Sequence, residues 1–248
     1  MNYIIVNVDE VYFNTKRGNW IESVLKHKKN NACKIFLMSR NNISVPNIDV
    51  VRVDPREIIY SKHPNLKNRP NFVCLESGEF VNFFNFNEND VVTLCDWDVT
   101  MQREMTDSEL QLIQNLDSNT FGMNKDHYPQ SYLNPYLNLN KIFNDIDNRW
   151  IVYNTGIQTA KISAWRLLFS YWKEYSAAVF EQCTHHAAGQ ALFNYIVQKH
   201  NMIKEMPITY HNAHWFHGTP SHINNDQLYV GSELVLFNHH KFNYIPKF

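Results

Sequence analysis

Val91-Val92-Thr93-Leu94-Cys95 is a short, β-prone run between the polar turn Asn87-Glu88-Asn89-Asp90 and the triplet Asp96-Trp97-Asp98. A run of this length without polar alternation reads as a strand buried on both faces, which calls for a sheet covered on both sides. Side chains two apart on an extended backbone point the same way, so Asp96 and Asp98 are expected on one side and Trp97 on the other. Carboxylates held together repel each other unless a cation or a shared proton relieves them. Further on, Thr106-Asp107-Ser108-Glu109 has the S/T-x-x-E spacing that starts a helix. Strand, acidic pair and helix start together read as a divalent-metal platform at the carboxyl end of a sheet strand. A surface aspartate pair after a strand is the plainer alternative.

The rest of the chain supplies the sheet. Residues 2–8 read as a first strand, 34–38 as a second and 50–53 as a third. Between the first two, Trp20, Ile21, Val24 and Leu25 recur at helical spacing and predict a helix over 18–29. Residues 54–72 hold Pro55, Pro64 and Pro70 and read as a loop or broken helix; 74–84 reads as a helix feeding the strand at 91–95. A short helix is expected around Leu110–Leu116 and strands at 120–123 and 150–153, the last closed by Asn154-Thr155-Gly156. Helices are expected over 163–175 and 184–200, joined around Glu181-Gln182, with late strands at 208–210 and 233–237. The polar stretch 125–148, with Pro129 and Pro135, is long enough for a loop to suggest a functional one. Strand, helix and strand in this order predict an α/β fold: one Rossmann-like domain over 1–248 with a mostly parallel central sheet flanked by helices. Two halves are expected within it, residues 1–124, which carry the acidic pair, and residues 125–248.

Composition narrows the class. The 248 residues are 44% hydrophobic and 14% aromatic, which suits a folded core and argues against disorder. No apolar run reaches the length of a membrane span and no leader-like segment opens the chain, so a cytoplasmic protein of a bacterial, phage or viral-host cytosol is expected. Cys33, Cys74, Cys95 and Cys183 lack metal-knuckle spacing and read as reduced thiols. The net charge of −1 covers an asymmetry: residues 1–70 carry 12 Lys/Arg against 6 Asp/Glu, and residues 76–147 carry 3 against 13. The basic half could meet an anion or a membrane surface, yet it is weaker than a duplex binder needs, so nucleic acid is disfavoured.

Several further groups could carry chemistry. Hard carboxylate oxygens at Asp96 and Asp98 suit Mg²⁺ or Mn²⁺ with positions left open for substrate phosphates. His239-His240 follows the last strand, where an imidazole could complete such a site; His239 is preferred because it follows the strand more closely. His211, His214 and His217 have H-x2-H-x2-H spacing, which suggests zinc only weakly without an HExxH or cysteine partner; loop packing is the other reading. After the first strand, in Asp9-Glu10-Val11-Tyr12, the Asp9 carboxylate could accept a hydrogen bond from a base or ribose and Tyr12 could stack on a base; a turn residue and a packed ring are the plainer alternative. Asn154 and Gly156 at a strand end could let substrate approach, and Glu181-Gln182 reads as either a helix cap or a reactive pair. No G-x-S-x-G, phosphate-loop or GxGxxG pattern is present.

In order, these features resemble a GT-A-fold glycosyltransferase with a DxD motif, most like family 8, the galactosyltransferase and glycogenin group. Asn7–Tyr12 resembles that group's first strand and nucleoside-binding turn. Phe86–Val99 resembles its YDRVLYLDADTLV segment, and Tyr153–Gln158 its FNSGVMV strand. Glu181-Gln182 stands where the group has an Asp-Gln pair beginning a helix, and Asn238–Lys241 resembles its late histidine with a nearby lysine. The resemblance implies a nucleotide-diphosphate sugar donor, a UDP-sugar above all, with Mn²⁺ or Mg²⁺ held by Asp96, Asp98 and His239 or His240. It implies donor contacts from Asn7, Asp9, Tyr12, Trp97 and Lys241, and catalytic contacts from Asn154, Glu181 and Gln182. Transfer with retained configuration to a glycan, lipid-linked sugar or protein acceptor would follow. The sequence departs from the group at Trp97, where a small residue is usual, and at Glu181, where Asp is. Trp97 could face the sheet interior or narrow the donor pocket. Two rival readings are a nucleotidyltransferase of related fold, which the acidic Val8-Asp9-Glu10 turn disfavours, and a degenerate glycosyltransferase acting as a binding module.

Overall fold

The computed structural model describes residues 1–9, 13, 20–38, 42–54, 79–126, 139–147, 149–182, 188–213 and 220–240. The strands β1 (Asn2–Asp9), β2 (Asn31–Met38), β3 (Asp49–Val53) and β4 (Val91–Cys95) are joined in the sheet by β6 (Phe121–Met123), β7 (Ile157–Lys161) and β8 (Ile203–Glu205). The sheet order is β3-β2-β1-β4-β7-β6-β8. β1 pairs parallel with both β2 and β4, β2 with β3, and β6 with β8. β7 alone runs against its neighbours, antiparallel to β4 and β6. A mostly parallel sheet flanked by helices is therefore present, as expected.

Among the described residues, α1 (Trp20–His27), α2 (Asp107–Gln114), α3 (Ile162–Gln182) and α4 (Ala188–Lys199) cover it. β4 is buried along its whole length because both faces are roofed. On one face Ile5, Phe36, Val92 and Leu94 meet Trp165 and Leu168 of α3 and Leu192 and Phe193 of α4. On the other, Ile4, Val6, Val91 and Cys95 meet Trp20 of α1 and Ile113 of α2. Thr93 tolerates this burial because its hydroxyl lies 3.0 Å from that of Thr159, which in turn lies 2.9 Å from Tyr210 Oη. The expected capping box starts α2: Glu109 N donates to Thr106 Oγ1 at 3.2 Å and Thr106 N to Glu109 Oε2 at 2.8 Å.

Five expectations change. The strand expected at 150–153 is reduced to a single bridge: Tyr153 pairs antiparallel with Lys125, Asp126 N donating to Val152 O at 2.8 Å and Asn154 N to Asn124 O at 2.9 Å, while side chains of α4 take other backbone groups of the segment. Tyr153 N donates to Asn194 Oδ1 at 2.7 Å and Tyr153 O accepts from Asn194 Nδ2 at 2.9 Å, while Gln198 bonds both backbone groups of Ile151. The strand starts later, at Ile157, so Asn154-Thr155-Gly156 precedes β7 instead of closing a strand. α3 continues to Gln182, so Glu181-Gln182 end a helix and do not begin one. Residues 208–210 form a turn, with Tyr210 N donating to Pro207 O at 2.8 Å. The late strand splits into β12 (Glu233–Leu234) and β13 (Phe237–His239). β12 joins β11 (Gln227–Val230) and β10 (Ser221–Asn224) in one small sheet; β13 joins β5 (Val99–Met101) and β9 (His211–Asn212) in another. The hairpin between β10 and β11 turns at Asn225 and Asp226, both with positive φ, a pair that matches strand twist. Residues 79–82 form a 3-10 turn within the helix expected over 74–84, whose first five residues, with the expected loop beyond Asp54, lie outside the described residues.

Trp165 carries the helix-to-sheet contact. It is fully buried, with its ring edge-on to Phe121 at 4.8 Å and Phe80 at 5.1 Å. Trp165→Ala is expected to cost about 3–5 kcal/mol in a urea unfolding curve; a loss under about 1 kcal/mol would contradict this account of the core.

Candidate functional site

The site grows from the end of β4. Asp96–Val99 is a turn closed by Val99 N donating to Asp96 O at 3.2 Å, so the triplet is not the extended segment expected. The turn sends the chain into β5, whose antiparallel partner β13 sets His239 opposite Val99. His239 Nε2 then lies 3.2 Å from Asp98 Oδ1. Asp96, Asp98 and His239 each present one ligand atom, all within 4.8 Å of one another; both aspartates are half-buried and the histidine buried. His240 takes another direction. Its Nε2 lies 2.7 Å from Thr100 Oγ1 and its backbone N donates to Asp98 O at 2.8 Å.

β7 provides the third wall. Because it runs antiparallel to β4, its first residues come back to the strand's carboxyl end, and Asp96 N donates to Gly156 O at 2.9 Å. A Cβ at Gly156 would come within 2.5 Å of His239 Nδ1 and within 2.9 Å of Asn154 Oδ1. Gly156 is therefore required by the close approach of the imidazole. Asn154 Oδ1 fixes the turn by accepting from Gly156 N at 2.7 Å. Asp126 Oδ2 accepts from Gln190 Nε2 at 2.9 Å, and Asn154 Nδ2 lies 3.5 Å from the same oxygen.

The electrostatics follow from burial. Desolvation, and then the charge of Asp98, push Asp96 up to about 7 against the opposing pull of His239. Burial works against a charge on His239, yet Asp98, by charge and hydrogen bond, with Asp96 and Asp126, raises it above its ordinary value. His211 is held well below its ordinary value by burial and then by His239. Two half-buried carboxylates beside a nitrogen donor form a hard, mostly anionic ligand set that fits Mg²⁺ or Mn²⁺.

The other expected residues divide. Asn7 is buried, and among the described residues neither its Oδ1 nor its Nδ2 has a hydrogen-bond partner. The β1–β4 register ends at Val6 against Cys95, so one residue further sets Asn7 beside Asp96. Asp9 is the last residue of β1, while Tyr12 and Lys241 lie outside the described residues. Trp97 turns into the core on the α1 side, its ring 5.6 Å from Phe13 and 6.3 Å from Trp20. Glu181 and Gln182 are exposed at the end of α3, apart from the hydrogen bonds that join Asn154, Asp126 and Gln190. The glutamine that does begin a helix is Gln190, in the first turn of α4. Its sequence signal is the amide row Gln190, Asn194 and Gln198, spaced by four in an otherwise apolar helix. Asp126 has no comparable signal, since it sits in a polar stretch where any of several residues could serve.

No family model matches the chain, and no curated protein matches it in sequence. Solved structures do match in fold. The galactosyltransferase LgtC, solved with donor and acceptor sugar analogues, aligns over 99% of this chain and 89% of its own, with TM-score 0.60 and 14% identity. Mouse xyloside xylosyltransferase 1 aligns over 98% and 99%, with TM-score 0.61 and 13% identity. The bifunctional glycosyltransferase WbbM aligns over 85% of this chain and 39% of its own, with TM-score 0.57 and 15% identity. The chain has the fold that these glycosyltransferases share.

Proposed function

We propose that this protein is a divalent-metal-dependent glycosyltransferase that moves a sugar from a nucleotide diphosphate, a UDP-sugar in particular, to a glycan or similar acceptor. The observation that carries the reading is the convergence of Asp96, Asp98 and His239 at one sheet edge, on a fold shared with known sugar transferases. These three residues would hold Mn²⁺ or Mg²⁺. Bound there, the ion supplies positive charge for the departing diphosphate.

The chain's own residues then divide the work. A buried amide without a partner costs about 1–3 kcal/mol, which supports Asn7 as a group that meets ligand, at the place expected for the nucleoside. Asp9 and Tyr12 follow it in sequence and are assigned to the same nucleoside, and Lys241 to the diphosphate. Asn154, Asp126 and Gln190 form a polar wall beside the metal ligands and are assigned to the donor sugar, where fixed hydrogen bonds orient the reacting carbon. Gln190 takes the helix-initial role that the sequence suggested for Gln182. Retained configuration is the outcome that the sequence resemblance favours. Among the described residues no helix is long and apolar enough to cross a membrane.

Release of free nucleotide from a panel of UDP- and GDP-sugars, with Mn²⁺ present or chelated, tests the activity. Asp96→Asn and Asp98→Asn are each expected to lower metal-dependent turnover about a hundredfold or more; full activity in either would overturn the assignment. Gly156→Ala forces the His239 ring aside and should weaken Mn²⁺ binding about tenfold or more by calorimetry, an outcome that unchanged affinity would refute. Gln190→Ala should lower kcat by about 10²-fold with a smaller change in donor KM; a change in KM alone would remove Gln190 from the reacting geometry.

A further inference from the structure

His211 is the one histidine of the 211–217 run within the described residues. It is 1% exposed and lies on β9, which runs parallel to β13 with His211 against Phe237 and Asn212 against Asn238. Residues two apart on a strand share a face, so His211, Phe237 and His239 lie on the same side of this small sheet. The rings of His211 and His239 stack, with centroids 5.7 Å apart and planes at 28°. Among the described residues, His239 thus packs against the imidazole of His211 and comes close to Gly156.

We propose that His211 is a positioning residue, which holds the His239 ring in the rotation that turns Nε2 toward Asp98 and Asp96. The proposal rests on reading those three residues as a metal centre. An imidazole turns about its Cβ–Cγ bond in a broad, roughly two-fold torsion, so the ligand geometry is not set by the backbone alone. The close approach of Gly156 to the Cε1 and Nδ1 edge and the stacked face of His211 restrict rotation of the ring out of its plane, which keeps Nε2 turned toward Asp98. Groups that orient a metal ligand from behind are commonly worth about 10–100-fold in metal affinity.

The test compares wild-type protein with His211→Ala and His211→Phe, the latter keeping a ring in the same space. Mn²⁺ affinity is read by electron paramagnetic resonance, and the His239 imidazole by nitrogen-15 NMR on the metal-free protein. His211→Ala should weaken Mn²⁺ binding about tenfold and broaden the His239 ring signal, and His211→Phe should restore most of both. Native affinity together with an unbroadened His239 signal in a folded His211→Ala protein overturns the proposal, as does a His211→Phe protein that is folded yet as impaired as His211→Ala. If wild-type protein takes up no Mn²⁺, the metal reading fails on its own, while the metal-free His239 signal still decides whether His211 holds the ring.

Discussion

The repulsion between Asp96 and Asp98 is the constraint that the rest of the site answers. Two carboxylates half-buried at the end of a core strand are unfavourable together, and burial with the neighbouring charge lifts Asp96 to about 7. The fold opposes that cost by bringing His239 to Asp98 from a strand more than a hundred residues away. One neutral or protonated imidazole relieves the pair only in part. A divalent cation held there would relieve it more fully, with coordination positions left for phosphate oxygens.

The geometry depends on a single reversed strand. Were β7 parallel to β4, its first residues would lie at the far end of the sheet from Asp96. Running antiparallel, it returns Asn154 and Gly156 to the carboxylates, and the missing side chain at Gly156 leaves room for the His239 ring. The amides of α4 complete the arrangement. Gln198 and Asn194 bond the backbone of 151 and 153, which leaves that segment a single bridge to Lys125, and Gln190 reaches Asp126 beside Asn154.

Much of this was legible in the sequence, for identifiable reasons. β4, the capping box of α2 and the acidic pair follow local rules, so Val91–Cys95, Thr106–Glu109 and Asp96/Asp98 could be placed from spacing alone. His239, preferred over His240 as following the late strand, is in fact the last residue of β13, and its pairing opposite Val99 is what brings it to Asp98. What escaped depends on tertiary contacts. Trp150–Tyr153 has strand propensity, but helix side chains take the backbone groups of Ile151 and Tyr153, and one bridge to Lys125 is what remains of the strand. Glu181-Gln182 looked like a helix start because the chain is polar there, yet α3 continues through it. Gln190 was hidden by the apolar residues around it, and only the three-dimensional position of α4 brings it to Asp126. The extended reading of Asp96-Trp97-Asp98 gave the right pairing of carboxylates for the wrong local reason, since a turn and not a pleat sets them together.

The central claim is that one divalent ion sits between Asp96, Asp98, His239 and a donor diphosphate. Pulsed electron paramagnetic resonance of Mn²⁺ with wild-type protein and UDP tests it most directly. The account predicts one bound Mn²⁺ per chain, showing coupling to a single imidazole nitrogen and to phosphorus, with the nitrogen coupling lost in His239→Ala. Bound Mn²⁺ without nitrogen coupling, or with nitrogen coupling that survives His239→Ala, would contradict it.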